Sequence, residues 1–359
     1  DKDAFIEMFH TFYQTNDPIT AKGLAQRHGN RYLVQNPPYS FLTQEALDEV
    51  YGLTYEREQH PYYAAQGDVK ALETIRFSIP THRGCYGECS FCAIVVHEGR
   101  TVRWRSEESI LNEAQKITKL QDFKGIIYDL SGPTSNMYGF ECPIKLKNGA
   151  CQDKSCLFPE ICPVMPIDHQ KQTDLLRKLR NTNGIRKVFV SSGLRYDMLL
   201  LDQAHGRAYL KELVKHHVSG QLKIAPEHTQ PGVLTRMRKP GQKELLDFKQ
   251  RFDQLNKEIG KKQFLTYYMI AAYPGCTHSD MHALKHFASR HLGILPEQVQ
   301  VFTPTPSTYA SVMYYTEKDP FTGEKLFVEK NPAGKQRQKE IITGRKKGNT
   351  PSRYAKKRK

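Results

Sequence analysis

Long apolar runs are missing from this sequence. Although 38% of its 359 residues are hydrophobic, no stretch approaches the roughly 18 consecutive apolar residues that a membrane-spanning helix needs. The first residues also lack the charged and then apolar pattern of a secretory signal peptide. We therefore expect a cytoplasmic protein with no membrane partner. The sequence starts at Asp1, without a methionine, next to the amphipathic segment AFIEMFHTFYQ, which indicates a piece of a longer protein.

Acidic residues are scarce at the C-terminal end. The chain has 53 Lys and Arg against 38 Asp and Glu, a net charge of +15. Residues 330–359 hold twelve of these bases and one acid, Glu340, so the rest of the chain is only mildly basic. A basic segment with few apolar residues predicts a disordered tail, which we assign to residues 335–359. Such a tail attracts RNA or another acidic partner, or only keeps the chain end solvated.

Cysteine, in contrast, is plentiful and clustered. Seven of the eight cysteines fall between residues 85 and 162, and only Cys276 stands apart. Without a secretory signal, clustered thiols are more typical of metal or iron–sulfur binding than of disulfides. Cys85, Cys89 and Cys92 have the spacing C-x3-C-x2-C in the segment THRGCYGECSFCAIVV. Three thiolates on one loop can hold three corners of a 4Fe–4S cluster, and the spacing alone leaves zinc open.

A second cysteine group lies further along the chain. Cys142, Cys151, Cys156 and Cys162 fall within 21 residues, in a predicted insertion at residues 133–167. Four thiolates this close predict a second metal site, either a structural zinc or a second iron–sulfur cluster. The sequence does not choose between these two metals.

From residue 73 onward, strand and helix patterns alternate. Each predicted strand ends in a polar or Gly/Pro-rich turn, and the helices between the strands are amphipathic. The strands are 73–79, 123–132, 186–193, 220–227, 263–275 and 297–306, and the helices are 106–120, 168–182, 198–217, 241–259 and 278–292. This order predicts an α/β fold with a parallel sheet, a partial or full (β/α) barrel. Working residues in such folds follow the strands' carboxyl ends, so six such turns indicate one ligand site.

The rest of the chain flanks this predicted core. We divide the chain into an N-terminal extension of helix and loop (1–72), the core (73–310) with its cysteine-rich insertion (133–167), a C-terminal extension (311–334) and the tail (335–359).

The cysteine loop resembles that of the radical S-adenosylmethionine (radical SAM) superfamily. Its C-x3-C-x2-C motif follows the first strand, and an aromatic residue, Phe91, comes directly before the last cysteine. The segments AIVVHEGR, SGPTSNMYG and KIAPEHT are similar to the YgiQ-type (UPF0313) branch of that superfamily. The resemblance extends over about residues 40–330, and it implies a partial or full (β/α) barrel.

The resemblance also implies two cofactors, a 4Fe–4S cluster and S-adenosylmethionine (SAM). Cys85, Cys89 and Cys92 would bind three irons, and the amino and carboxylate groups of SAM would chelate the fourth. A reductant such as flavodoxin or ferredoxin would supply the electron that cleaves SAM to methionine and a 5′-deoxyadenosyl radical. That radical abstracts hydrogen from a substrate. An iron without a protein ligand is an open coordination site, as a catalytic centre requires.

Seven candidate SAM contacts follow from the same resemblance, all at or beside predicted strand ends. Phe91 would pack near the adenine. The run from Ser131 stands where the superfamily has a Gly-rich motif for the SAM amino group, without the usual glycine pair and acid. Ser192 and Arg195 would reach the ribose and carboxylate. Capping, turn formation or a salt bridge would explain any single one of these residues equally well. The set is Phe91, Ser131, Gly132, Pro133, Ser192, Arg195 and Glu227.

Two further functions stay open beside a radical SAM enzyme with an unknown substrate. An RNA-modifying enzyme of the methylthiotransferase type is suggested by the strand-end pattern and the segment TPTPSTYASVMYYT. That group usually carries an RNA-binding module after the barrel, whereas this chain has a basic tail there. A non-catalytic iron–sulfur protein that binds nucleic acid through its tail is the other alternative.

Overall fold

A computed structural model describes residues 1–344 of the chain. The α-helices are α1 (Lys2–Thr15), α2 (Gln44–Gly52), α3 (Leu72–Ile75), α4 (Ile94–His97), α5 (Glu107–Thr118), α6 (Pro143–Asn148), α7 (Gln170–Arg180), α8 (Tyr196–Leu201), α9 (Gly206–Glu212), α10 (Pro231–Met237), α11 (Gln242–Ile259), α12 (His278–Phe287), α13 (Tyr309–Thr316) and α14 (Pro332–Thr343). The strands are β1 (Leu24–His28), β2 (Arg31–Gln35), β3 (Ser78–Pro80), β4 (His82–Arg83), β5 (Arg103–Trp104), β6 (Ile126–Ile127), β7 (Asp129–Ser131), β8 (Lys187–Val188), β9 (Gln221–Glu227), β10 (Phe264–Ala271) and β11 (Val299–Val301).

Parallel strands follow one another in space in the order of the sequence. β3 pairs with β7. β6 is separated from β7 by a single residue and pairs with β8. Leu194, beyond β8, forms a parallel bridge with Ile224 of β9. β9, β10 and β11 then pair side by side. Helices connect these strands, so the structure confirms the predicted parallel α/β fold, a partial barrel of six β/α units.

One face of this sheet carries the main hydrophobic core. Along β9 and β10 every second residue is buried at first, the pattern of a sheet that is covered on one side. Leu222 and Ile224 share this core with Phe248 and Phe252 of α11. Burial of each such side chain stabilises the fold by about 1.5–3 kcal/mol. The intervening Lys223 is only half-buried, on the sheet face opposite the helices.

Local capping sets the start of several helices where the sequence predicts it. The Ser106 hydroxyl accepts a hydrogen bond from Ser109 N at 3.1 Å and starts α5. Thr277 and Asp280 form a reciprocal capping box at the start of α12. None of the helices in residues 1–344 has the length and apolarity needed to cross a membrane.

The predicted helix over 198–217 is interrupted at Asp202. The Asp202 carboxylate accepts hydrogen bonds from His169 N at 2.9 Å and His205 N at 2.8 Å. A side chain that bonds nearby backbone competes with the helix ladder, so α8 ends at Leu201 and α9 starts four residues after Asp202.

The prediction of a disordered tail over 335–359 is wrong for its first part. α14 is a packed helix in which every fourth residue (Gly334, Gln338 and Ile342) is buried. The bases of this segment lie on the more exposed sides of the helix, and composition alone did not reveal the buried stripe between them. Residues 345–359 lie outside the described part of the chain.

The N-terminal extension packs on the core. α1 lies against α13, with the ring centroids of Phe9 and Tyr13 4.9 and 4.7 Å from that of Tyr309. The Tyr13 hydroxyl donates to Glu88 Oε2 at 3.1 Å, inside the cysteine loop. α1 therefore reaches the segment that carries the first cysteine group.

Candidate functional site

The loop after β3 gathers Cys85, Cys89 and Cys92. The Cys92 backbone N–H donates to Cys89 O at 3.0 Å, which turns the loop. Burial raises the pKa of the Cys85 thiol and raises that of Cys92 to about 12, and the nearby Cys89 acts in the same direction on both. The structure therefore brings the three predicted ligands close together, with Cys85 buried and Cys89 and Cys92 half-buried. A bound metal would take the place of the thiol protons.

Two glycines give this loop its tight path. Gly84 has a φ of +78°, and a Cβ there would lie 2.3 Å from Thr101 O, so the position requires glycine. A Cβ on Gly87 would lie 3.2 Å from Cys85 Sγ and 3.6 Å from Cys89 Sγ. The Gly87 N–H instead donates to Cys85 Sγ at 3.2 Å. Glycine thus leaves the space between the two sulfurs free.

Arg195 is buried beside this loop. Its Nη1 lies 3.9 Å from Cys89 Sγ, while Nε and Nη2 donate to Asp197 at 2.8 and 2.5 Å. Burial alone would lower the pKa of the guanidinium, but the Asp197 carboxylate raises it, so Arg195 is charged. The site therefore places a fixed positive charge next to a cysteine sulfur.

A chain of buried hydrogen bonds holds Arg195 from behind. Asn136 accepts from Arg195 N at 2.8 Å and donates to Arg195 O at 3.0 Å. The Asn136 amide also lies 3.1 Å from His169 Nε2, and His169 Nδ1 lies 2.7 Å from Asp202 Oδ2. Asn136 lies in the segment SGPTSNMYG, but neither its role nor that of His169 follows from the sequence, because their partners are distant in the chain.

The segment from Ser131 to Thr134 lies between the cysteine loop and a buried histidine. Thr134 Oγ1 is 3.3 Å from Cys85 Sγ. A Cβ on Gly132 would lie 2.5 Å from the His82 ring, so a larger residue there would displace that ring. Burial lowers the pKa of His82 to about 4, which keeps the ring neutral at pH 7. Pro133 follows directly in the same turn.

Asp129, the first residue of β7, connects this strand to the segment after β8. No sequence motif indicated this residue. It accepts hydrogen bonds from the backbone of Ser191 at 2.8 Å and of Ser192 at 3.3 Å. The Ser192 hydroxyl also donates to Asp129, and Ser131 Oγ donates to it at 3.0 Å. The predicted SAM contacts Ser131 and Ser192 are therefore brought together, with their hydroxyls bound to one carboxylate.

The segments that follow β9 and β11 contact the cysteine loop at Ser90. Ser90 N donates to Met237 O at 3.2 Å, and Ser90 O accepts from Ala310 N at 2.8 Å. The neighbouring Phe91 ring lies edge-on to Tyr273, with centroids 6.3 Å apart. Segments from four strands therefore meet around the first cysteine group.

Glu227 lies at the carboxyl end of β9 with a left-handed φ of +67°. Burial raises the pKa of its carboxyl group, and the nearby Lys239 lowers it. Lys239 is itself buried and also acts on the pKa of Cys92 and of Asp197. This lysine, which no sequence motif indicated, therefore lies near both the carboxyl end of β9 and the cysteine loop.

The second cysteine group lies against the first. Cys142 and Cys156 are buried, and Cys151 and Cys162 are half-buried. The Cys142 N–H donates to the hydroxyl of Tyr86 at 3.1 Å. Tyr86 directly follows Cys85 of the first group.

Neither cysteine group has the close spacing of a single-ion site. Within residues 1–344, the only three His, Cys, Asp or Glu side chains with ligand atoms all within 4.8 Å of one another are Asp168, Asp202 and His205. The hydrogen bonds that Asp202 and His205 make at the start of α9 explain that grouping.

Comparison with known proteins identifies the family. Residues 1–78 match the family described as Radical SAM N-terminal, and residues 297–351 match a domain of unknown function, DUF3362. The chain is 55% identical over 347 residues to a UPF0313 protein of Fusobacterium nucleatum, covering 97% of this chain and 61% of that protein. It is 46% identical over 349 residues to a UPF0313 protein of Methanosarcina mazei, covering 97% and 55%. The chain belongs to the radical SAM proteins of the UPF0313 family.

The chain spans little more than half the length of these relatives. Among solved structures, the radical SAM methyltransferase TsrM from Kitasatospora setae, with cobalamin and a [4Fe–4S] cluster bound, has 15% identity and a TM-score of 0.43. That match covers 77% of this chain and 46% of TsrM. The cobalamin-dependent radical SAM enzyme OxsB has 13% identity and a TM-score of 0.45, covering 82% of this chain and 36% of OxsB.

Proposed function

We propose that this chain is the catalytic core of a radical SAM enzyme. It holds a 4Fe–4S cluster on Cys85, Cys89 and Cys92, cleaves SAM, and directs the resulting 5′-deoxyadenosyl radical to hydrogen abstraction from a substrate. The observation that carries this proposal is the loop after β3, where three thiols converge beneath strand-end loops with Arg195 beside them.

The residues of this loop fit such a cluster. Gly87 leaves room between the sulfurs, and its N–H together with the Thr134 hydroxyl points hydrogen bonds at Cys85. Hydrogen bonds and nearby positive charge stabilise thiolates and tune the potential of iron–sulfur centres. When bound, the cluster leaves one iron open to SAM and supplies the electron that cleaves it to methionine and the 5′-deoxyadenosyl radical.

Charged residues around the loop suit the methionine part of SAM. Nε and Nη2 of Arg195 donate to Asp197, and the remaining Nη1 faces Cys89 Sγ. Arg195 is therefore better placed to contact Cys89 than to bind the carboxylate of SAM. Glu227 and Lys239 provide one carboxylate and one ammonium on the side of the loop near the end of β9. That pair complements the amino and carboxylate groups of SAM, and we assign these two residues to them.

The strand-end loops protect the site from water. Ser90 is held by backbone hydrogen bonds to the segments after β9 and β11, and Phe91 packs on Tyr273. Exclusion of water prevents side reactions of a reactive intermediate. The partners flavodoxin or ferredoxin stay predictions. The non-catalytic alternative that binds nucleic acid rests on the tail, of which residues 345–359 lie outside the described chain. The RNA-modifying alternative rests on the strand-end pattern and the segment TPTPSTYASVMYYT, and both alternatives stay predictions.

The test is formation of 5′-deoxyadenosine. Anaerobically reconstituted protein with SAM and dithionite should produce it, as measured by liquid chromatography and mass spectrometry. Replacing Cys85, Cys89 or Cys92 with alanine should abolish it, because three ligands are needed to hold the cluster. Cys276→Ala, which removes a buried cysteine that belongs to neither group, is the matched control and should retain activity. A fully loaded protein that forms no 5′-deoxyadenosine refutes the proposal.

A further inference from the structure

We propose that the second cysteine group, Cys142, Cys151, Cys156 and Cys162, binds a 4Fe–4S cluster of its own. This inference goes beyond the proposed function, because it concerns a separate site and does not require SAM chemistry. Four thiolates occupy all four irons of such a cluster, so the site is closed to SAM.

The fold brings these cysteines together. The Cys162 N–H donates to Cys156 O at 2.8 Å. Cys151 is close enough to Cys156 to raise the pKa of its thiol. Cys142 and Cys156 are both close enough to Tyr86 to raise the pKa of its hydroxyl. Cys142, Cys156 and Cys162 also belong to one packed cluster of side chains. The insertion therefore brings Cys142, Cys156 and Cys162 together near Tyr86, with Cys151 close to Cys156.

Buried positive charge next to this group indicates an anionic occupant. Lys145 is 1% exposed and Arg100 is 6% exposed, and they share the carboxylate of Glu88 at 3.5 and 3.8 Å. The Lys145 ammonium also lies beside the Cys156 sulfur.

Two buried cations against one carboxylate leave positive charge uncompensated. Arg100 Nη2 is buried without a hydrogen-bond partner in the described chain, although the guanidinium lies 4.8 Å from the Tyr13 ring centroid. Burial of a charge without a counter-charge is costly. A cluster held by four thiolates carries net negative charge, and it would balance Lys145 and Arg100.

The spacing of the sulfurs favours a cluster over zinc. Sulfurs that share one tetrahedral zinc lie about 3.8 Å apart, because each Zn–S bond is about 2.3 Å long. No three of these cysteines have sulfurs all within 4.8 Å of one another, counting the side chains of residues 1–344. A 4Fe–4S cluster binds each thiolate on a different iron and so needs wider spacing. The sulfurs of Cys85, Cys89 and Cys92 are likewise not all within 4.8 Å of one another.

Removal of the first cysteine group isolates the second. The variant with Cys85→Ala, Cys89→Ala and Cys92→Ala should be reconstituted anaerobically with ferrous iron and sulfide, in the presence of equimolar zinc. We expect about four iron and four sulfide per chain. Dithionite should produce an electron paramagnetic resonance signal that SAM does not alter. Binding of zinc in place of iron, or binding of neither metal, would overturn the proposal.

The reciprocal variant separates this proposal from the proposed function. Cys142→Ala with Cys156→Ala should lose half of the iron of the unaltered protein and keep a SAM-responsive signal, whereas Cys276→Ala should keep all of it. If the double variant fails to fold, Lys145→Met in the unaltered chain decides. Loss of that cation should lower the midpoint potential of the SAM-insensitive signal, and an unchanged potential contradicts the charge argument. Failure of 5′-deoxyadenosine formation would leave these metal contents unaffected.

Discussion

At Arg195 the guanidinium is divided between two partners. Two of its nitrogens bind Asp197 and the third faces Cys89 Sγ. The resemblance predicts that Arg195 reaches the ribose and carboxylate of SAM, and in the structure Arg195 lies beside the cysteine loop. Its contact with a cysteine sulfur could not be predicted, because it depends on how Asn136 orients the backbone from another loop.

Replacement of Arg195 by lysine tests this arrangement. Lysine keeps the charge but cannot bind Asp197 at two points and face Cys89 as well. We expect a folded, cluster-loaded protein in which 5′-deoxyadenosine forms about tenfold more slowly, which corresponds to the loss of a charged hydrogen bond of about 1.5 kcal/mol. The midpoint potential of the first cluster should fall with it. Asp197→Asn, which leaves the guanidinium in place, is the matched control. Unchanged rate and potential in Arg195→Lys would show that the contact has no role.

At the scale of elements, Glu212 joins two helices. Its carboxylate at the end of α9 accepts from Arg177 Nε at 3.2 Å and Arg180 Nε at 2.9 Å, both on α7, and lies 3.4 Å from His217 Nε2. Burial alone would raise the pKa of Glu212, but these hydrogen bonds and charges lower it from 4.5 to about 2. The folded state therefore binds fewer protons at Glu212 than the unfolded state does between these two pH values.

This shift predicts how stability depends on pH. The contribution of Glu212 is fully present above about pH 4.5 and is lost as the pH falls toward about 2. Glu212→Gln should lower the melting temperature at pH 7, and its difference from the unaltered protein should shrink as the pH falls through this window. Glu258→Gln, at an exposed ion pair with Arg207, is the matched control and should change stability little. Calorimetry over a pH series measures both, and a difference that is constant with pH contradicts the assignment.

Elements set by local chemistry were predictable from the sequence. The caps at Ser106 and Thr277 and five of the six strand positions follow from neighbouring residues. The first predicted strand, 73–79, is wrong for most of its length, because helix α3 occupies Leu72–Ile75 and β3 covers only Ser78–Pro80. The break at Asp202 and the packing of α14 depend on partners elsewhere in the chain. The hairpin of β1 and β2 was also missed, although Gly29 and Asn30 between its strands are residues typical of tight turns.

At the scale of the whole molecule, the site is assembled from distant segments. The first-strand loop contacts backbone after β9 and β11 through Ser90, and α1 reaches it through Tyr13 and Glu88. The cysteine spacing predicted that the three thiols lie close together, because all three lie in one loop. Asp129, Asn136 and Lys239 were not predictable, since each acts through the tertiary fold.

In the proposed enzyme, three cysteines hold a cluster and leave one iron for SAM. The most direct measurement is the electron paramagnetic resonance spectrum of the dithionite-reduced protein with Cys142→Ala and Cys156→Ala, recorded before and after addition of SAM. We predict that SAM changes the spectrum, because its amino and carboxylate groups bind the open iron. Identical spectra from a fully loaded cluster would contradict the account.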